Sequence, residues 1–324
     1  MVGNLDRISA FRPASRPPRS MMILLAAYEN WRLLVALLPS WAFAADQTYS
    51  TPEEAIDALV AAVKAHDKKQ IQAVLGTSDQ SIESGDPVAD KAAAERFAAS
   101  YAEKHALVRD GDTAKLTLGN NDFPFAFPLV KKGDRWRFDT VAGRSELLAR
   151  RIGENELYAI NVVQAIADAQ RDYASEDRDG DGVLAYARKF VSSQGKRDGL
   201  YWPTKAGEPP SPLGPLVAQA AGEGYKASKS GPTAYRGYYY RMLTGQAKTA
   251  DSPAVDYVVR GRAIGGFGVV AYPAKYGSSG IMTFIVNQDG KVYEADLGPK
   301  TSEKASAMQR FDPGKGWSPV PAAK

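Results

Sequence analysis

The chain has 324 residues and no cysteine, which excludes disulfide bonds, thiolate catalysis, cysteine zinc sites and a lipoprotein anchor. Its 44% hydrophobic and 24% charged residues are typical of a globular protein, and its length predicts about two domains. The formal net charge is +4, but residues 1–44 hold five arginines and two acidic residues. Removing these from the 41 basic and 37 acidic residues leaves a net charge of +1, which does not indicate a nucleic-acid partner.

The N-terminal region has the pattern of a secretory signal. Arg32 precedes an apolar run at residues 33–38, and Ala42-Phe43-Ala44 forms an A-x-A cleavage site. A membrane anchor is the alternative, but this run is far shorter than the roughly 20 residues that a membrane span needs. We therefore predict a signal peptide region over residues 1–44, a periplasmic or secreted mature protein, and no transmembrane span in the mature form.

Residues 45–143 predict a small α+β domain. Thr51-Pro52 followed by two glutamates is a helix start, a second helix is predicted over residues 87–105, and strands are predicted at residues 114–118, 125–130 and 136–138. The opening through Leu75 resembles nuclear-transport-factor-2-like folds. That resemblance implies a curved antiparallel sheet, whose cone often holds a small ligand.

His66 and His105 are the only histidines, so they are the first candidates for a general base. His66 lies in a polar junction between two predicted helices. His105 lies at a predicted helix C-terminus, where the helix dipole favours a cation. We interpret both as structural or surface residues.

The stretch from Glu146 to Trp202 predicts a long amphipathic helix and then an acidic loop. The loop reads Asp-Arg-Asp-Gly-Asp-Gly, which matches the start of an EF-hand calcium loop because alternate carboxylates in a tight turn supply hard oxygen ligands. The twelfth loop position is Arg188 instead of the bidentate glutamate. The sequence therefore leaves two alternatives open, a bare turn or a calcium site with the ligands Asp177, Asp179 and Asp181.

Several stretches together carry a family resemblance: RRIGENEL at residues 150–157, GKRDGLYWP at 195–203, SPLGPL at 211–216, and a block from residue 265 to 284. They resemble a bacterial exported family catalogued as domain of unknown function 2950, over about residues 50–318. The resemblance implies an envelope location and no assigned activity.

Residues 144–312 predict the long helix packed on a second antiparallel sheet, and residues 313–324 predict a flexible tail. A short helix capped by Ser211 comes first, then strands at residues 235–243, 256–259, 264–272, 281–286 and 292–295. This order of elements weakly resembles the globular half of pilin-like proteins over residues 150–296. That resemblance implies recognition rather than catalysis. A pilin helix begins at the processed N-terminus, whereas about 100 mature residues precede this one, so we expect no filament.

Aromatic and arginine side chains in the second half indicate a ligand face, formed by Tyr201, Trp202, Tyr238, Tyr240 and Arg241. Packing between neighbouring strands is the alternative. The sequence contains no G-x-S-x-G, H-E-x-x-H or P-loop motif, and we assign no catalytic residue.

These observations predict an exported envelope protein that binds an envelope protein or polymer without catalysis, with calcium as its one candidate cofactor. Two alternatives stay open. One is a hydrolase of envelope polymer that uses carboxylates such as Asp198 or Glu208 beside Tyr201 and Trp202. The other is a small-ligand binder that uses the cone of the first domain.

Overall fold

The computed structural model describes residues 47–77, 82–178, 180–226, 232–248 and 253–321. It confirms the α+β class: helices and an antiparallel sheet come first, and a long helix packed on a second antiparallel sheet follows. Within those ranges, no helix combines the length and the apolar character that crossing a membrane requires.

Three helices open the described chain: α1 (Pro52–Lys64), α2 (Lys68–Val74) and α3 (Pro87–Glu103). The predicted start of α1 is confirmed, because the Thr51 hydroxyl accepts a hydrogen bond from the Glu54 N–H at 3.2 Å and Pro52 is the first helical residue. α1 buries most of its apolar face, whereas α3 has no buried residue along its 17 positions. α3 is thus attached at the surface.

The first sheet is antiparallel and has the order β1-β2-β4-β5, with β3 paired to β2. Its strands are β1 (His105–Asp110), β2 (Thr113–Leu118), β3 (Phe123–Pro124), β4 (Leu129–Lys132) and β5 (Arg135–Phe138). The single strand predicted over residues 125–130 is wrong: β3 and β4 are separate strands. Pro124 and Pro128 have no N–H to donate to a ladder, which favours the break between them.

The first core lies between this sheet and α1. Leu59 and Val74 from the helices pack with Leu116, Leu129 and Phe138 from the strands, and all five are buried. Burying side chains of this size contributes about 1.5–3 kcal/mol each. The core therefore holds α1 firmly on the sheet.

The long helix α4 (Thr140–Ala174) is continuous for 35 residues and crosses the predicted domain boundary at residues 143/144. Asp139 caps it by accepting a hydrogen bond from the Ala142 N–H at 3.0 Å. Leu147 packs against the first core, whereas Val163 and Ile166 lie in a second core. One helix therefore connects both cores.

The second sheet is antiparallel, with the order β13-β11-β10-β9-β6. α4 packs on β9 and β10, and buries Tyr238, Val269 and Phe284 with the face that carries Val163 and Ile166. The elements are α5 (Gly214–Glu223), β6 (Tyr238–Leu243), β9 (Gly268–Pro273), β10 (Met282–Asn287), β11 (Tyr293–Asp296), α6 (Thr301–Ala307) and β13 (Ser318–Pro319).

Short strands complete the fold: β7 (Gly245–Gln246), β8 (Val255–Asp256) and β12 (Arg310–Phe311) form a small sheet, in which β7 and β12 are parallel. α6 packs on the opposite side of the second sheet from α4, over a third core that includes Val270 and Phe311. Within the stretch expected to be a flexible tail, Ser318–Pro319 pair with β11.

Two local predictions need correction. α5 has no side-chain cap, because Ser211 is buried and its carbonyl oxygen accepts the Gly214 N–H at 2.7 Å. The strand predicted from residue 264 begins only at Gly268. Gly266 has φ +129°, and a Cβ at Gly265 would lie 2.4 Å from the Asp256 carbonyl oxygen, so these glycines form a tight loop instead.

Candidate ligand-binding cleft

A cavity of about 1260 Å³ opens between the first three helices and the first half of α4. We call it the α3–α4 cleft. α2, α3, the segment around β3, and α4 from Leu147 to Leu157 form its walls, and residues 222–225, 236–237 and 279 close one end. Ligand pockets for small molecules are usually about 300–1,000 Å³, so the cleft is large enough for an elongated occupant.

Aliphatic and aromatic side chains form the inner wall of the cleft. Phe125 is the centre of an aromatic group, with its ring 5.2 Å from that of Phe97 and 5.8 Å from that of Phe127. α3 contributes Phe97 to this group and also lines the cleft with the small residues Ala92, Ala93 and Ala94. The aliphatic lining is Leu59, Val63, Ile71, Leu75, Leu147 and Leu157.

A cluster of charged and phenolic groups lies at the end of the cleft nearest the second sheet. Arg236 donates two hydrogen bonds to Glu223, from Nε at 3.1 Å and from Nη2 at 2.7 Å, and its guanidinium stacks 4.0 Å from the Tyr158 ring. Burial opposes ionisation, but the hydrogen bonds from Arg236 and Gln219 hold the pKa of Glu223 below its usual value. This end of the cleft is thus an internally paired network.

The same network connects α3 to the second half of the chain. Asp86 caps α3 by accepting hydrogen bonds from the Val88 and Ala89 N–H groups, both at 3.1 Å. Its other oxygen accepts the Tyr225 hydroxyl at 2.7 Å. Burial, together with the neighbouring Asp86, raises the pKa of Tyr225, so this phenol stays protonated at neutral pH.

Arg151 lies in the wall of the cleft in a different environment. Its guanidinium donates hydrogen bonds to two backbone carbonyl oxygens, those of Ile82 at 2.6 Å and Glu83 at 3.1 Å. Among the residues that the structure describes, no carboxylate lies within ion-pair distance of it. Burial lowers the pKa of Arg151, and Asp90 partly opposes that shift.

The acidic loop after α4 is tied together by its own hydrogen bonds. The Asp177 carboxylate accepts the N–H groups of Gly180, Asp181 and Gly182 at 2.8–3.2 Å, and Asp181 pairs with Arg262 at 2.5 Å. Asp179 lies outside the described residues. Among the described residues, no three His, Cys, Asp or Glu side chains lie close enough together to hold a metal ion. The calcium site stays a prediction.

The residues of the predicted ligand face do not share one surface. Tyr238 is buried against α4 and donates to the Met282 carbonyl at 2.9 Å, and Tyr240 is half-buried on the same sheet face. Arg241 lies on the opposite face, where it donates to the Ala305 carbonyl at 2.9 Å. Tyr201 is half-buried and Trp202 is buried in the core under α4.

The two candidate hydrolase carboxylates are held by local contacts. Asp198 accepts hydrogen bonds from Lys189 Nζ at 2.6 Å and from the Ser193 N–H at 2.7 Å. These bonds lower its pKa to about 2, which makes it a weak general base and keeps it ionised at neutral pH. Glu208 is exposed and accepts the Lys205 N–H at 3.2 Å.

The histidines occupy different places. His66 is exposed at the edge of the cleft, just after α1, with φ 53°. His105 stacks on the Tyr101 ring at 3.8 Å, and its Nδ1 contacts the Tyr101 carbonyl oxygen at 2.8 Å. Sequence reasoning missed Arg151 and Glu223, because each lies in an ordinary polar stretch and meets its neighbours only through the fold.

Comparison with known proteins finds one family. A family model described as "Protein of unknown function (DUF2950)" matches residues 46–320. No curated protein matches the chain. No solved structure matches it either. The resemblances to pilin-like and nuclear-transport-factor-2-like folds therefore stay predictions.

Proposed function

Because the chain belongs to the DUF2950 family, whose description carries no activity, we propose a function from the geometry of the α3–α4 cleft. We propose that this is an exported envelope protein that binds an elongated, mainly apolar ligand in the cleft without transforming it. The observation that carries the proposal is the volume of about 1260 Å³ combined with the aliphatic and aromatic inner wall.

Apolar surface that faces water in a cleft supplies the driving force for binding. Covering such surface contributes roughly 25 cal/mol per Å². The half-buried rings of Phe97 and Phe125 offer a wall of this kind, and Phe127 packs behind Phe125 in the first core. A ligand that lies along this wall would displace water from the wall and from its own apolar surface.

The state of the ionisable groups supports binding over hydrolysis. Glu223 and Asp86 are engaged by Arg236 and Tyr225, so neither is poised to transfer a proton. Asp198, the other candidate carboxylate, has a pKa of about 2. The proposed site differs from the cone of the first domain, because residues 147–157 of α4 also line it.

Filling the cleft tests the proposal. We expect the uncharged dye N-phenylnaphthylamine to bind the mature protein with a rise in fluorescence, because the dye leaves water for an apolar wall. Ala93→Trp places a large ring in the cleft and should weaken dye binding by at least about tenfold, since the indole takes the ligand's space.

Ala99→Trp is the matched control, because Ala99 is also an exposed alanine of α3 but does not line the cleft. Its dye affinity should equal that of the wild type. Equal affinity for both tryptophan variants, or no fluorescence rise with the wild type, would contradict the proposal.

A further inference from the structure

Six lysines or arginines line the α3–α4 cleft, and Arg151 differs from the others. Arg96 is exposed on α3, where water solvates its charge. Arg151 is half-buried, and its contacts in the described chain are carbonyl oxygens. The remaining four each have a carboxylate oxygen within 3.6 Å: Lys68, Lys91, Arg150 and Arg236.

A half-buried guanidinium that forms no ion pair within the described part of the chain can recognise an anion. Carbonyl dipoles solvate part of the Arg151 charge but do not neutralise it. The guanidinium has five N–H donors, and two hydrogen bonds to the carbonyls of Ile82 and Glu83 leave donors for a planar, two-oxygen acceptor. A carboxylate matches that fork in shape and charge.

The other charges of the cleft limit the charge of the ligand. Of the described residues that line the cleft, six are acidic and six are lysine or arginine, so their formal charges cancel. Asp90 lies near enough to Arg151 to raise the pKa of the guanidinium, and would therefore repel a second negative charge placed there. A monoanion fits this environment better than a dianionic phosphate.

We propose that the ligand of the α3–α4 cleft is a single-chain amphiphile with one carboxylate end, and that Arg151 binds that carboxylate while the chain lies along the wall of Phe97 and Phe125. This inference rests on the proposed function, because it names the class of ligand for the same cleft. An apolar wall and a half-buried guanidinium whose described partners are carbonyl oxygens line one cavity, which is the arrangement that such an amphiphile requires.

Displacement of N-phenylnaphthylamine from the mature protein tests the inference with three compounds that share one chain: palmitate, methyl palmitate and palmityl phosphate. In the wild type, palmitate should displace the dye at a concentration about tenfold lower than methyl palmitate, because only palmitate offers a charged acceptor. Palmityl phosphate should compete less well than palmitate.

Arg151→Leu should raise about tenfold the concentration of palmitate that displaces the dye and leave that of methyl palmitate unchanged. Arg151→Lys should keep part of the preference for palmitate over methyl palmitate. Arg171→Leu is the control, because Arg171 is an exposed arginine of the same helix that does not line the cleft, and it should change the displacement by neither compound. A purely structural role of Arg151 would weaken both ligands equally, and that result would overturn the inference.

The comparison of palmitate with methyl palmitate on the wild type tests carboxylate recognition even if Arg151→Leu does not fold. Equal displacement by palmitate and methyl palmitate would refute carboxylate recognition, and stronger displacement by palmityl phosphate would replace the carboxylate with a phosphate. In both cases the proposed cleft function still stands if the wild type binds the dye and Ala93→Trp abolishes that binding. Absence of dye binding would remove both proposals.

Discussion

Asp198 shows how local contacts decide the chemistry of a single carboxylate. The sequence offered it as a catalytic candidate beside Tyr201 and Trp202. In the fold it accepts hydrogen bonds from Lys189 Nζ and from the N–H and hydroxyl of Ser193, at 2.6–3.0 Å. The hydrogen bond from Lys189 is the largest cause of its lowered pKa. Asp198 therefore organises the loop that precedes Trp202.

We predict a stability change in acid that depends on Asp198. Its pKa falls from 3.8 to about 2 on folding, so its contribution is fully present above pH 3.8 and is lost as the pH falls through about 2. The melting temperature of the wild type should fall more steeply across that window than that of Asp198→Asn. Glu208→Gln changes an exposed carboxylate of the same region and should follow the wild-type curve. Identical curves for Asp198→Asn and wild type would contradict the prediction.

At the scale of elements, α4 holds the rest of the fold with polar side chains as well as with its apolar stripe. The Asn155 side chain donates to the Ser279 carbonyl at 2.9 Å. Glu156 is buried and accepts the N–H groups of Ile281 and Met282 at 2.9 and 3.0 Å. The Gln170 amide pairs with the backbone of Ala187 in both directions at 2.9 Å. These contacts set where β10 begins and where the loop after α4 lies.

Glu156→Ala should lower the free energy of unfolding by about 2–3 kcal/mol, because it leaves the backbone N–H groups of Ile281 and Met282, where β10 begins, without their acceptor. Glu156→Gln should lose less, since an amide oxygen can still accept. Urea denaturation monitored by circular dichroism measures both. Glu154→Ala removes an exposed carboxylate two residues away and should change stability by no more than about 0.5 kcal/mol. Equal losses at both positions would argue against the specific contact.

The acidic loop after α4 is the second element with a testable ligand. We predict weak calcium binding, with a dissociation constant of about 0.1–1 mM, because Arg188 replaces the bidentate glutamate. The ion would also compete with the backbone N–H groups on Asp177 and with Arg262 on Asp181. Titration calorimetry of the wild type and of Asp179→Ala measures this. If millimolar calcium gives no heat with the wild type, the loop is a turn only.

At the scale of the whole molecule, the first prediction concerns export. The apolar run at residues 33–38 and the A-x-A site predict cleavage after Ala44. The match to the family begins at residue 46, directly after that site. Expression with the full leader followed by intact-mass measurement of the exported protein should give a chain that starts at Ala45. A product that retains residues 31–38 would exclude this cleavage.

The sequence by itself determined the class of the fold and the order of its elements. Hydrophobic periodicity placed the long helix and most strands of the second sheet, and the Thr51-Pro52 pair marked the start of α1. These features depend on residues within a few positions of one another, so local chemistry is sufficient to specify them. The breaks at Pro128 and at Gly265-Gly266 were missed, although their residue types carry a local signal.

Only the tertiary structure decided the cleft and the residues that face it. Arg151 reaches the carbonyl of Ile82 across 69 residues of sequence, and Tyr225 reaches Asp86 across 139. Nothing local distinguishes Arg151 from its neighbour Arg150, which has an ion pair with Glu146. The two arginines differ only in what packs around them. The environment of a half-buried charge depends on distant neighbours, and for Arg151 these include the backbone of Ile82 and Glu83.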